Sequence, residues 1–201
     1  MAKRLFDLFG AACALVLLWP LMAGIAVWIK LDSPGPVLFR QPRVGRHGRL
    51  FSIRKFRTMV ADAAGPGPLI TVGNDPRITR AGAWLRRSKL DELPQLIDVL
   101  AGRMSLVGPR PEVPAYVARY PAALRERVLS VRPGLTDPVS LEMADESALL
   151  AHAADPEREY VEVLLPRKLK AAAAYAEAAT LATDLHVLLQ TVRLLCKRGL
   201  S

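Results

Sequence analysis

From Leu8 to Ile29 the chain runs for 22 residues without a charge. At about 1.5 Å per residue, a straight helix of that length just crosses a hydrocarbon core of about 30 Å. The run is long, and lacks a clear small-residue cleavage site, for a cleavable signal peptide. Pro20 falls near its middle, removing one helical hydrogen bond and predicting a kink. Lys3 and Arg4 precede the run; Lys30, Arg40, Arg43, Arg46, Arg49, Arg54, Lys55 and Arg57 follow it, with Asp32 as the one acid among them. Cytoplasmic flanks carry the Lys and Arg excess, so both ends favour the same side. The pattern therefore predicts a bent, re-entrant helical hairpin broken at Pro20. Trp19 and Trp28 are either interfacial anchors or ordinary packing residues.

Beyond the run the pattern becomes short and mixed. Ser33-Pro34-Gly35-Pro36 is a turn, and strands are expected near Val37 to Arg40 and Leu50 to Ile53. The glycine- and proline-bearing stretch from Ala61 to Asn74 reads as a loop over the site. Ile78 to Arg87, Glu92 to Leu100 and Pro121 to Leu129 are expected helices. Pro156 to Arg198 is alanine-rich and helical in pattern, with a bend expected at Pro166. In its last part Leu185, Leu188, Leu189, Val192, Leu195 and Cys196 share one face, for the membrane or, by default, the core. The fold class is α+β, mostly helical. The organisation is a membrane helix over 1–31, a chemistry-bearing core over 32–140 and a helical region over 141–201.

Composition narrows the class. The chain has 201 residues, a net charge of +9 and 51% hydrophobic residues, enough for one modest core plus a membrane segment. Cys13 in the apolar run and Cys196 near the carboxyl end are not placed to pair, which indicates a reducing compartment. His47, His152 and His186 have no metal-ligand spacing, which argues against zinc. The positive balance suits nucleic acid, an anionic membrane surface or a phosphorylated substrate. No zinc-finger, bZIP or RNA-recognition signature accompanies it, so nucleic acid is disfavoured as a partner. Basic residues beside an apolar anchor gain about 1 kcal/mol each near anionic lipid, which accounts for most of residues 40–57.

The candidate chemistry lies between Arg86 and Pro111. Asp91 and Glu92 sit among Arg86, Arg87 and Lys89 at the start of an apolar helix. Surrounding cations favour the ionised carboxylate, leaving Asp91 available as a nucleophile or metal ligand. A helix start also suits a bound anion. A plain N-cap is the competing explanation of Asp91, with Pro94 harmless in the first turn. It leaves Glu92, Arg86 and Arg110 unexplained. Prolines on both sides restrict the backbone at Arg110, suiting its guanidinium to bidentate contact with phosphate or carboxylate. Arg132-Pro133-Gly134 repeats the pattern, and together these features point to a diphosphate site.

These residues carry a resemblance. Asn74-Asp75-Pro76-Arg77-Ile78-Thr79-Arg80, Leu90-Asp91-Glu92-Leu93-Pro94-Gln95-Leu96, Gly108-Pro109-Arg110-Pro111 and Arg132-Pro133-Gly134 occur in that order. Upstream are Phe39-Arg40-Gln41-Pro42-Arg43-Val44-Gly45 and Lys55-Phe56-Arg57-Thr58-Met59. Together they resemble the bacterial sugar transferase family, monotopic phosphoglycosyl transferases that start polysaccharide and glycoconjugate assembly on a polyprenol carrier. The resemblance implies transfer of a sugar 1-phosphate from a UDP-sugar to polyprenol (undecaprenyl) phosphate, with release of UMP. It implies Asp91 as the nucleophile of a covalent phosphosugar intermediate, and Glu92, with Asp91 sharing, as ligand to Mg²⁺. Arg86, Arg110 and Arg132 would hold phosphate oxygens, and Lys55 and Arg57 the carrier phosphate. It places the chain on the cytoplasmic face of a bacterial inner membrane, among anionic lipids, with a homodimer admitted. The family's membrane helix breaks at a Ser-Pro pair, which here reads Trp19-Pro20. Many members follow Arg-Pro-Gly with Gly-Trp-Ala-Gln, where this chain has Leu135-Thr136-Asp137-Pro138, a difference that bears on the nucleotide or sugar pocket. A non-catalytic membrane adaptor and a basic nucleic-acid binder are the alternatives from other classes.

Overall fold

The computed structural model describes residues 1–60, 75–142, 150 and 152–199. The loop expected from Ala61 to Asn74 lies outside them, as does the side chain of Cys196. The apolar run forms α1, Ala2–Asp32, a single helix that continues through Pro20. The expected hairpin is thus not what the structure draws. One stripe of α1 rests on the globular part at both ends and between them. Ala11, Ala14 and Leu15 meet one hydrophobic cluster, and Met22, Ile25 and Ile29 meet another. Support on both sides of Pro20 lets the helical run continue through the bond lost there. The opposite face, including Leu5, Phe9, Val16, Leu17 and Trp19, is exposed. By length and composition α1 is able to cross a membrane.

Ser33 ends α1 in an extended conformation. The chain then forms an antiparallel ribbon, β1 (Leu38–Val44) with β2 (Leu50–Phe56), in register from Leu38 opposite Phe56 to Val44 opposite Leu50. His47 and Gly48 turn it at φ values of 57° and 75°. β1 runs past the expected stop at Arg40 because a two-stranded ribbon has a free outer edge, where proline is tolerated.

α2 (Arg80–Ser88) begins where the Thr79 side chain accepts from Gly82 N–H at 2.9 Å. Lys89, at φ 59°, then redirects the chain into a 3₁₀ turn, Leu90–Gln95, which passes into α3 (Leu96–Leu100). The single helix expected from Glu92 to Leu100 is therefore two pieces, a tighter 3₁₀ turn and a short α-helix. β3 (Ser105–Val107) follows, then α4 (Pro114–Val117), α5 (Ala122–Leu129), β4 (Gly134–Thr136) and α6 (Pro138–Glu142). β4 pairs in parallel with β3. α7 (Pro156–Glu159) leads through a π turn, Tyr160–Leu164, into α8 (Leu165–Ala178), and α9 (Leu181–Gly199) comes last. Pro166 sits in the first turn of α8, where it costs no helical bond, so the irregularity falls in the π turn before it.

α1 is fastened by polar groups as well as by packing. The buried Asp7 carboxylate accepts from Ser105 Oγ at 2.9 Å and from Leu106 N–H at 3.0 Å. Lys3 pairs with Asp184 on α9, and its Nζ also donates to the Val107 carbonyl at 3.1 Å. These groups occupy the outer edge of β3, the strand that leads into Gly108-Pro109-Arg110. On α9, Val187 packs inward while Leu185, Leu189 and Val192 stay exposed.

Candidate functional site

The 3₁₀ turn after Lys89 aims two adjacent carboxylates at β2 and at the loop after β3. Glu92 is held from both sides. Lys55 Nζ on β2 donates to its Oε1 at 2.8 Å, and Arg110 forks onto it through Nη2 to Oε1 and Nη1 to Oε2, the latter at 3.1 Å. Burial alone would push the Glu92 carboxyl up, but Arg110 and Lys55 hold it well below the usual carboxylate range.

Asp91 is placed differently. Its side chain caps no helix and accepts no hydrogen bond from any described residue. The nearest cation, Lys55 Nζ, lies 3.9 Å from Oδ2. Burial pushes its carboxyl pKa up, Lys55 opposes the shift, and the Glu92 charge adds to it. Desolvation thus outweighs the neighbouring cations in setting the direction of the shift. The cap explanation falls, because the chain reaches Asp91 already inside the turn.

The loop bearing Arg110 is clamped. Arg43 Nη1 donates to the Pro111 carbonyl at 3.0 Å, and Val44 N–H to the Glu112 carbonyl at 2.9 Å. Tyr160, at the head of the π turn, donates its hydroxyl to Glu112 Oε1 at 2.6 Å. Arg86 lies on α2, its Nε donating to Thr58 Oγ1 at 2.8 Å, and the Asp91 charge is felt at its guanidinium. Asp75 and Arg77 form a local fork that holds the Asp75 carboxyl at about 2.

Two expected site residues lie elsewhere. Arg57 is buried, and its guanidinium donates to the carbonyls of Ile29, Ser33 and Pro34 and to Ser33 Oγ, closing the C-terminal end of α1. Its two terminal nitrogens are thus turned to α1 rather than to the Asp91 centre. Arg57→Ala is expected to lower unfolding free energy by about 2–4 kcal/mol, read by denaturant melting in detergent, because buried carbonyls lose charged donors. Arg132 donates Nε to the Gly102 carbonyl at 2.9 Å, before β3 rather than after it, and touches neither Asp91 nor Glu92. Asp98 was not foreseen: it is fully buried and accepts from Arg54 N–H at 3.0 Å and from the Arg54 and Arg103 guanidiniums, fixing the strand that carries Lys55. Its only signal in the sequence is an acid on the apolar side of a helix. Nothing local marks Thr58, Arg43, Glu112 or Tyr160 as supports, because their partners are distant in the chain.

Glu92 gives a pH signature. Its folded pKa lies below the unfolded value of about 4.3, so its contribution is present above that value and lost as pH falls through the folded one. Glu92→Gln is expected to flatten the fall in stability below about pH 4.3, measured by thermal melting across an acid series.

No group of three metal-ligating side chains occurs among the described residues. A hard cation held by one or two carboxylates and completed by substrate phosphates needs no such cage. Asp91, buried and with no donor among the described residues, fits that arrangement better than Glu92, both of whose oxygens are engaged.

Fold and site together define a small α+β protein with an apolar anchoring helix and a buried carboxylate–arginine centre suited to phosphorylated ligands. The chain belongs to the bacterial sugar transferase family, whose model matches residues 1–198. It is 49% identical over 139 residues to the UDP-glucose:undecaprenyl-phosphate glucose-1-phosphate transferase of Xanthomonas campestris pv. campestris, covering 68% of this chain and 29% of that protein. It is 54% identical over 109 residues to the exopolysaccharide production protein PSS of Rhizobium leguminosarum bv. phaseoli, covering 54% of each. A putative undecaprenyl-phosphate N-acetylgalactosaminyl 1-phosphate transferase of Bacillus subtilis is 42% identical over 118 residues, 59% of this chain and 66% of that protein. The matched region thus spans between about a third and two thirds of these relatives.

Proposed function

We propose that this chain transfers a sugar 1-phosphate from a UDP-sugar to polyprenol (undecaprenyl) phosphate, releasing UMP, through a covalent intermediate on Asp91. The observation that carries this reading is the contrast between the two carboxylates. Glu92 is neutralised by Arg110 and Lys55, whereas Asp91 beside it has no described donor. A desolvated carboxylate without donors is more basic and, once ionised, a better nucleophile. An Asp91 oxygen forms a bond to the β-phosphorus of the donor while the bond from that phosphorus to the bridging oxygen breaks, and UMP departs with the electron pair. A phosphate oxygen of the carrier then attacks the same phosphorus, the bond to Asp91 breaks, and the carboxylate is restored. No proton is gained or lost by the enzyme over the cycle.

Arg86, whose guanidinium feels the Asp91 charge, and Arg110 bind and orient the phosphates; Lys55 meets the carrier phosphate as it approaches. Mg²⁺ held by Asp91, with Glu92 adjoining, would neutralise phosphate charge when bound. The membrane reading rests on α1. Its two ends fasten to one globular body, Lys3 and Asp7 at one end and Ile29 at the other, so both remain on the same side of a bilayer. We read this as monotopic seating on the cytoplasmic face, with Pro20 the point at which α1 bends into a re-entrant form in lipid. The test is Mg²⁺-dependent UMP release from a panel of UDP-sugars with polyprenol phosphate. Release with one sugar names the donor; silence from folded protein across the panel favours the adaptor reading.

A further inference from the structure

We infer that Arg4, Arg103 and Arg132 form a binding site for the phosphate of an anionic phospholipid headgroup, at the amino-terminal end of α1 and separate from the Asp91 centre. Three elements bring these residues to one turn. Arg4 on α1 donates Nη1 to the Val99 carbonyl at 2.8 Å and Nη2 to the Leu100 carbonyl at 3.1 Å. Arg132, from the approach to β4, donates Nε to Gly102, two residues further along the same turn, at 2.9 Å. Arg103 leaves the turn itself, and 36% of its side chain is exposed. The closeness of the arrangement shows at Gly102, where an added Cβ would stand 3.4 Å from Arg4 Nη2.

The charge of the cluster is unbalanced. Among the described residues Asp98 is the acid that meets it, and Asp98 is shared between Arg54 and Arg103. Neither Nη of Arg132 has a described partner. A guanidinium with a free fork is a ready ligand for a phosphate oxygen pair.

The surroundings select a lipid as the source of that phosphate. Leu5 and Phe9 on the outer face of α1 and Ile97 and Leu100 on α3 are exposed beside the cluster. Apolar surface bordered by arginines is the composition of a membrane–water boundary. None of the three arginines touches Asp91 or Glu92, so a phosphate held here is not positioned for transfer.

The test is partition of the full chain onto phosphatidylcholine vesicles with or without phosphatidylglycerol. Wild type is expected to favour the anionic vesicles. Arg103→Gln with Arg132→Gln is expected to cut that preference about tenfold or more, at about 1 kcal/mol per arginine, and to weaken binding to pure phosphatidylcholine, whose phosphate charge is cancelled by choline, by much less. An equal loss in Arg125→Gln with Arg127→Gln, which removes the same charge from α5, would overturn the site in favour of net charge alone. An unaltered preference in the first pair would overturn it outright. A third set of vesicles carries polyprenol phosphate in place of phosphatidylglycerol; a loss confined to that set would assign the arginines to the carrier and overturn the headgroup reading. If the double variant is misfolded, the single Arg103→Gln decides, with an expected loss of about fivefold, since Asp98 keeps Arg54. Vesicle partition needs no transferase activity, so its result stands apart from the proposed reaction.

Discussion

Asp91→Asn is expected to abolish UMP release, by about 10³-fold or more, while leaving the protein folded and slightly more stable. The two halves of this result come from the same environment. Asparagine keeps the shape of the side chain but cannot form the acyl-phosphate bond, so no intermediate accumulates. Stability moves the other way. The folded pKa of Asp91 is raised above its unfolded value, so its favourable contribution is present below the unfolded value, about 3.9, and is lost as pH rises through the folded one. At neutral pH the buried charge is therefore a cost, and replacing it with a neutral amide relieves that cost. Radiolabelled sugar-phosphate retention on the protein and a melting curve at pH 7 check both halves. A variant that lost activity and stability together would point to a structural aspartate instead.

Gly134→Ala is expected to prevent stable folding, a loss above about 3 kcal/mol, although it adds one methyl group at a residue that bonds no substrate. A Cβ on Gly134 would stand 2.1 Å from the Gly108 nitrogen and 2.3 Å from its carbonyl oxygen. Both are backbone atoms, and Gly108 is itself fixed by its bond to the Thr136 carbonyl at 3.0 Å. A reciprocal Cβ on Gly108 would meet the Arg132 carbonyl oxygen at 2.5 Å. The two glycines thus let the segment before Arg110 and the segment after Arg132 touch backbone to backbone, with Gly134 N–H donating to the Pro109 carbonyl at 2.9 Å. Expression yield and circular dichroism in detergent read the outcome. Chain that folds to a wild-type melting temperature would show that this contact relaxes freely.

That pair shows which parts of the site were legible in the sequence. The motifs at Asp91-Glu92 and Arg110 pointed to a diphosphate site; the structure brings those residues together with Lys55, with Arg110 forked onto Glu92. Residue type and spacing were enough because the participants are charged, few and close to prolines that limit the backbone. Arg57 and Arg132 carried the same outward signal and went elsewhere. Sequence shows that a guanidinium is present but not where it is turned: Arg57 gives its terminal nitrogens to the carbonyls of Ile29, Ser33 and Pro34, and Arg132 is oriented by its Nε on Gly102, and no pattern marks these as acceptors. The continuous α1 was hidden for a related reason. Pro20 forecasts a bend from local chemistry, whereas the stripe from Ala11 to Ile29 is supported by α2, α3 and the 3₁₀ turn. Long-range supports such as Tyr160 for Glu112, 48 residues away, have no local signature at all.

The fastening of α1 also sets an order of events during synthesis. Lys3 leaves the ribosome first and Asp184 follows 181 residues later, a wait of roughly 10–40 s at ordinary elongation rates. The partners of Asp7, in β3, arrive midway. On the membrane reading proposed above, the helix has time to reach lipid before either polar clasp exists, and the closing of α9 onto Lys3 is a seal placed on a segment already seated.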